Sequence, residues 1–313
     1  LGNVDTNTVR AVVIVSVRSI FAFAFGFTGC DTDYVTYSGP DYIMFSDTLT
    51  VLPVQNNEEY FDIPVAATEA CSYDRTLGVE ILDKKTNAVE GRHFSLESNT
   101  VTIKAGERTA NVRIRGIYDN IEVTDSLGMV LQLVSKEESK WELYGTETKV
   151  ILEKVCPFDI HLFEGYALIV TSTYFGSYMK DVSQRLIRTK VDPNAENTII
   201  MKDYFYKGYD LKVKFTTNDL LNPLIEMEDQ PFASTMEAFD TIYGDWEVWA
   251  YQSGYYLSYY SSCERFIFQY MTLHVPGMPA GKDEVGTYIN VVKWVSDDEA
   301  QILIEEGVNN SLK

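Results

Sequence analysis

Residues 110–117 read Ala-Asn-Val-Arg-Ile-Arg-Gly-Ile. In an extended chain Val112 and Ile114 point to one side and Arg113 and Arg115 to the other, because successive strand side chains alternate. That is the period of a half-buried strand and not of a helix. The same reading applies to Asp47–Val54, Tyr60–Ala66, Leu77–Leu82, Val101–Ile103, Met129–Val134 and Thr148–Leu152. Turn chemistry separates them: Asn56-Asn57 beyond Pro53, Asp83-Lys84-Lys85-Thr86-Asn87, and Lys104-Ala105-Gly106-Glu107. Short strands at intervals of roughly 8–14 residues, with no helical run of useful length, predict an antiparallel β-sandwich over residues 43–154.

A second series restarts after Cys156-Pro157, with Phe163-Glu164-Gly165-Tyr166 leading into an apolar run. Gln184–Val191, Thr198–Met201, Leu211–Thr216, Leu224–Glu228, Trp246–Tyr251, Tyr255–Tyr260, Arg265–Thr272 and Ile289–Val295 follow, several joined by short turns such as Gln252-Ser253-Gly254. Sequential up-and-down strands in this number can close on themselves, which removes the exposed edges that invite aggregation. A small antiparallel barrel is expected over residues 155–313. The segment after Asp297-Asp298-Glu299 reads either as a helical turn or two or as a last strand. The chain has 313 residues, more than one typical core, and its 45% hydrophobic and 13% aromatic content fits folded domains.

Residues 88–134 carry a resemblance. Gly91, Phe94, the Ala105-Gly106-Glu107 turn, Asp119 and the Leu131–Val134 strand are similar to the pattern of Calx-β-type, immunoglobulin-like domains. The resemblance implies calcium ligands in some members. Here His93 stands where that pattern has Asp, leaving Asp119, Glu122 and Asp125 as weak candidates against the six to eight oxygens calcium wants. A solvated acidic loop explains them as well, and no metal or cofactor is expected. The Phe-x-Gly-x-Tyr opening, Ile225–Gln230 and the aromatic hairpins resemble the lipocalin-like C-terminal domain of two-domain Bacteroidota surface lipoproteins of uncharacterised function.

The N-terminus bears on location. Ala11–Phe27 is apolar or small apart from Arg18, and it ends in Thr28-Gly29-Cys30. A basic start, an apolar run and small residues before a cysteine resemble the bacterial lipobox, which implies a signal peptide over 1–29, acylation of Cys30 and a tether over 30–42. Phe27 replaces the Leu usual there. The alternatives are an uncleaved membrane helix or a buried core helix, although Ser19–Phe27 is too short to span roughly 30 Å of hydrocarbon. Asp31 and Asp33 resemble the residues that send such lipoproteins to the outer face, so an outer-membrane, surface-exposed protein is expected.

The formal charge of −20 argues against nucleic acid as a partner. There is no G-x-S-x-G, G-x-G-x-x-G, P-loop or H-E-x-x-H. With three histidines there is little material for a His-based site. His161 and Glu164, three apart, fall on opposite faces if the segment is a strand. Cys71, Cys156 and Cys263 are far apart and are read as buried thiols, although export permits disulfides. Glu226 and Glu228 share one strand face and are a candidate glycosidase pair, but no enzymatic role is expected.

The enriched feature is aromatic. Trp246, Trp249, Tyr251, Tyr255, Tyr256, Tyr259 and Tyr260 crowd into fifteen residues, and Tyr204, Tyr206 and Tyr209 form a second group. Alternation puts Trp249 and Tyr251 on one face and Trp246 on the other. Flat rings with polar handles suit stacking on sugars and suit protein interfaces; they also fill barrels. The reading is a lipid-anchored, non-enzymatic protein that binds a ligand such as a polysaccharide. The alternative is an accessory subunit that docks on outer-membrane partner proteins.

Overall fold

The computed structural model describes residues 37, 39–135, 141–239, 246–278 and 283–310. Asp41–Lys313 form one compact unit. The apolar run, Cys30 and most of the expected tether lie outside the described residues. No helix among the described residues is long and apolar enough to cross a membrane.

The first lobe holds β1 (Tyr42–Phe45), β2 (Leu49–Val54), β3 (Phe61–Ala67), β4 (Arg75–Ile81), β5 (Phe94–Leu96), β6 (Thr100–Ile103), β7 (Thr109–Gly116), β8 (Leu127–Val134), β9 (Glu142–Leu143) and β10 (Glu147–Lys154). They form two sheets, β5-β7-β3-β1-β9 and β2-β10-β8-β4-β6. Most pairs are antiparallel; β1 with β9 and β2 with β10 are parallel. Alternation sends Val112 and Ile114 inward, against Ile63, Val65, Leu131 and Val150. The sheets meet so closely that a Cβ on Gly116 would lie 2.4 Å from the Val54 side chain. This contact also fixes polarity. The Gly116, Val54 and Lys154 ends lie at one pole, and Tyr42, paired near Ala67, lies at the other.

Arg75 anchors that far pole. Its side chain is fully buried, 3.2 Å from the Asp41 carboxylate, and it donates to the carbonyls of Glu69 (2.9 Å) and Glu107 (3.1 Å). Its Nε has no partner.

The second lobe holds β11 (Gly165–Ser172), β12 (Arg185–Val191), β13 (Thr198–Lys202), β14 (Leu211–Phe215), β15 (Ile225–Glu226), β16 (Gln230–Ser234), β17 (Glu247–Tyr251), β18 (Tyr259–Ser261), β19 (Phe266–His274), β20 (Glu284–Val295) and β21 (Asn309–Asn310). Its short helices are α1 (Thr173–Tyr178), α2 (Thr235–Phe239) and α3 (Asp297–Glu305). These strands make an 11-stranded sheet in the order β15-β14-β13-β12-β11-β20-β19-β17-β16, with β18 and β21 as side pairings. The path closes through residues 224–230, because this segment pairs with β14 on one side and bridges Tyr259 on the other. The fold is therefore all-β, a sandwich followed by a barrel. The segment after Ser296 is a helix, α3, capped by the Ser296 hydroxyl and packed through Ala300 on the outside of β11 and β12.

The barrel is full. Phe163, Phe215, Tyr260 and Trp294 pack at one level, and Tyr174, Phe205, Phe232 and Tyr288 at another. Between them Gln269 accepts from the Tyr204 hydroxyl (2.9 Å) and the Asn290 amide (3.3 Å), while Ser172 donates to Asn290 (2.6 Å).

The expectation of three buried thiols is corrected. Cys156 and Cys263 form a disulfide with Cα atoms 5.2 Å apart, and Cys71 is free and only partly buried. The pair is 107 residues apart in sequence, so no spacing rule reveals it. It forms because the chain leaving β10 passes the turn between β18 and β19. A crosslink closing so long a loop contributes about 2–5 kcal/mol. The double variant Cys156→Ser, Cys263→Ser should therefore unfold at clearly lower urea. A midpoint matching the reduced and oxidised wild type alike would remove the disulfide from the stability of the fold.

Candidate functional site

Strand β17 presents Val248 and Ala250 to the core and Trp249 and Tyr251 to the outer wall. Trp249 lies across from Pro231 on β16 and His274 on β19, and its indole N–H donates to Glu247 (2.8 Å). The Tyr251 ring meets the His274 ring edge-on at 5.3 Å. His274 Nε2 is 2.8 Å from Asp229 Oδ1. Desolvation first, and then the carboxylates of Glu284, Asp229 and Asp283, push the Tyr251 hydroxyl up, so it stays protonated and able to donate.

Asp229 joins this aromatic row to a hollow of about 500 Å³ over the seam between β14 and β16. The ladder is interrupted there, and the Gln230 side chain replaces a strand: it accepts from Lys212 N (2.8 Å) and donates to Lys212 O (2.9 Å). The expected strand over Leu224–Glu228 is shorter, so the two carboxylates do not share a strand face: Glu226 ends β15 and Glu228 lies in the irregular segment beyond it, both line the hollow, and Lys214 approaches Glu226 at 3.8 Å. Lys212 reaches the buried Asp192 carboxylate at 2.7 Å, and this contact holds that carboxyl below the usual range. The hollow thus combines carboxylates, lysines and an amide, and Asp229 links it to the ring of His274.

The other aromatics separate. Trp246 lies against Gly277, whose positive φ of 90° brings bare backbone beneath the ring. Tyr255 is 93% exposed at the tip of the loop before β18. Tyr256 stacks on Tyr270 and Tyr259 on Phe268, at 4.8 and 5.2 Å, which makes an outer strip along β18 and β19. Tyr260, only 5% exposed, faces the interior, where its hydroxyl donates to Thr216 O (3.0 Å). Tyr204 is buried on Gln269 and Tyr206 bonds the Tyr174 hydroxyl, so Tyr204, Tyr206 and half-buried Tyr209 do not make one surface patch.

In the sandwich, Asp125 accepts from Glu122 N (2.9 Å) within its own turn. Among the described residues no group of three or more His, Cys, Asp or Glu converges as a metal site. His93 accepts from Val89 N (3.0 Å) and is a turn residue.

His161 and Glu164 correct a strand-based expectation. Ile160–Phe163 is a 3-10 turn capped by Asp159, so residues three apart share a side and bond at 2.7 Å. Sequence reasoning missed His274 and Asp229, which lie 45 residues apart and meet only across the barrel wall.

These features define a class: a two-lobed, all-β protein whose barrel is filled and whose ligand-sized hollow lies on the outer wall. The chain belongs to the family described as a domain of unknown function (DUF4984), whose model matches residues 143–306. No curated protein matches the chain. Similar solved structures include the apo-form Calx CBD1 domain, with 16% identity and a TM-score of 0.31, covering 37% of this chain and 98% of that one. A protein of unknown function from Bacteroides ovatus has 11% identity and a TM-score of 0.32, covering 80% and 90%. An auxiliary nutrient binding protein from Bacteroides thetaiotaomicron has 14% identity and a TM-score of 0.31, covering 79% and 91%.

Two measurements check the placements. Tyr260→Ala should cost about 3–5 kcal/mol of stability, as truncating buried rings does, and Tyr255→Ala should leave the melting curve in place; similar losses from both would contradict the inward and outward assignments. The Glu164 hydrogen bond, partly offset by desolvation, holds the His161 pKa above its ordinary value and lowers that of Glu164. A raised folded pKa gives stability that is present below the unfolded value and lost as pH rises through the folded one. An NMR titration should show His161 falling back towards ordinary in Glu164→Gln.

Proposed function

We propose that this chain is a non-enzymatic lipoprotein, anchored by Cys30 at the outer face of a bacterial outer membrane, that binds a glycan on the outer wall of its barrel. One observation carries the reading: Asp229 lines the hollow with Glu226, Glu228, Lys212 and Gln230 and also bonds His274, whose ring meets Tyr251 beside Trp249 on the outer wall. A sugar ring has an apolar C–H face and a hydroxyl edge. Flat rings bury the face, and carboxylates, lysines and an amide bond the edge. In this reading Glu226 and Glu228 accept hydrogen bonds from sugar hydroxyls and carry no chemistry.

The path of the chain supports the same reading. The first strand, β1, begins at Tyr42 at the sandwich pole away from the barrel, and the seven residues of β3 span about 20 Å of strand rise. The sandwich then serves as a spacer that holds the barrel off the membrane.

A second reading rests on the outer strip of Tyr256, Tyr259, Phe268 and Tyr270. Here the protein is an accessory subunit and the strip is its protein interface. A stable partner in cross-linked membranes that is lost with Tyr256→Ala, Tyr259→Ala would favour it.

Titration against a broad glycan panel should give saturable binding to one class, weakened at least tenfold in Trp249→Ala, Tyr251→Ala and unchanged in Tyr255→Ala. Flat titrations across the panel would refute the glycan. Growth on labelled palmitate should label the wild type and not Cys30→Ala; equal labelling would refute the anchor.

A further inference from the structure

We propose that the junction between the lobes is a second binding site, independent of the outer-wall hollow, and that it takes an amphipathic monoanion: a short apolar chain or ring ending in a carboxylate. A cleft of about 320 Å³ opens there, with the Cys156–Cys263 disulfide in its wall. The disulfide fixes the linker against the β18–β19 turn, so the cleft is a built feature of the folded chain and does not depend on a chance approach of two lobes.

Both lobes give it an apolar rim. Val123 from the sandwich is 43% exposed and Leu220 from the barrel is 42% exposed, and both line the cleft. Phe158 lies deeper, packed on Tyr260 at 5.5 Å. Large apolar side chains left in water on both sides of one cleft are surface that an apolar ligand body would cover.

Charge sets the other end. Lys154 lines the cleft, its ammonium 4.2 Å from the centre of the Tyr118 ring, and it enters none of the ion pairs among the described residues. Asp219 is already committed to its own turn. It accepts from Leu221 N (2.9 Å), Asn222 N (3.1 Å) and the Asn222 amide (2.8 Å). A ligand carboxylate is therefore drawn to Lys154 and repelled from the Asp219 side, which places its apolar body beneath Leu220. Glu153, next to Lys154 on β10, also lines the cleft, but Lys154 is in no ion pair among the described residues and is free to meet an anion.

Octanoate and its uncharged analogue octanamide, titrated calorimetrically into the full chain, test the site. Octanoate should bind saturably and at least tenfold tighter than octanamide. Lys154→Met should abolish that difference, and Leu220→Glu should weaken both ligands. Trp249→Ala should change neither, so success or failure here is separate from the glycan reading. Melting curves check that each variant folds, and the octanoate-to-octanamide comparison on the wild type stands without any variant. No saturable octanoate binding, equal affinity for the two probes, or undiminished octanoate binding by folded Lys154→Met would each overturn the proposal.

Discussion

Phe163 meets Trp294 and Tyr260 edge-on, at 5.0 and 5.9 Å, and lies tilted against Phe215 at 4.4 Å. Such contacts are worth about 0.5–1.5 kcal/mol each beyond the area they bury. They recur at the other level, where Tyr174 touches Phe205, Phe232 and Tyr288. Burial is the main reason the Tyr174 and Tyr204 hydroxyls are pushed well above their ordinary range, so they remain neutral hydrogen-bonding groups inside the core. A barrel of this size can either hold a small ligand or be filled by side chains. This one is filled. Both sites proposed above accordingly lie outside the packed interior, on the outer wall and at the junction.

Alternation accounts for what the sequence made legible. Val112 against Arg113, or Val248 against Trp249, can be assigned to opposite faces from period alone, and the structure places them so. The strands themselves fall where turn residues bound them. Period 2 says nothing about which face closes on which neighbour, and the aromatic cluster shows the cost. Tyr259 and Tyr260 are adjacent and chemically alike, yet one stacks on Phe268 outside and the other packs on Phe163 inside. Alternation alone puts them on opposite faces; the direction of closure decides which of the two is inside.

Long-range pairs were out of reach for a different reason. Cys156 with Cys263, Asp229 with His274 and Asp41 with Arg75 are each set by topology, and nothing in their local sequence announces the partner. Local geometry also overrode a sound rule once. His161 and Glu164 were assigned opposite faces on the premise of a strand, but Asp159 caps a 3-10 turn there and brings them together.

The junction shows how a fold can create a cleft that neither lobe contains. β10 ends at Lys154, and the chain must pass from a flat sandwich edge to a curved barrel within a few residues. The disulfide fixes the linker while the sandwich loop at Val123 and the barrel loop at Leu220 remain on opposite sides of the gap. A flexible linker would let the lobes slide until such apolar rims covered each other, whereas a crosslinked one holds them apart. The same covalent constraint that ties the linker to the barrel therefore accompanies a cleft lined by apolar surface from both lobes and by Lys154, which is in no ion pair among the described residues.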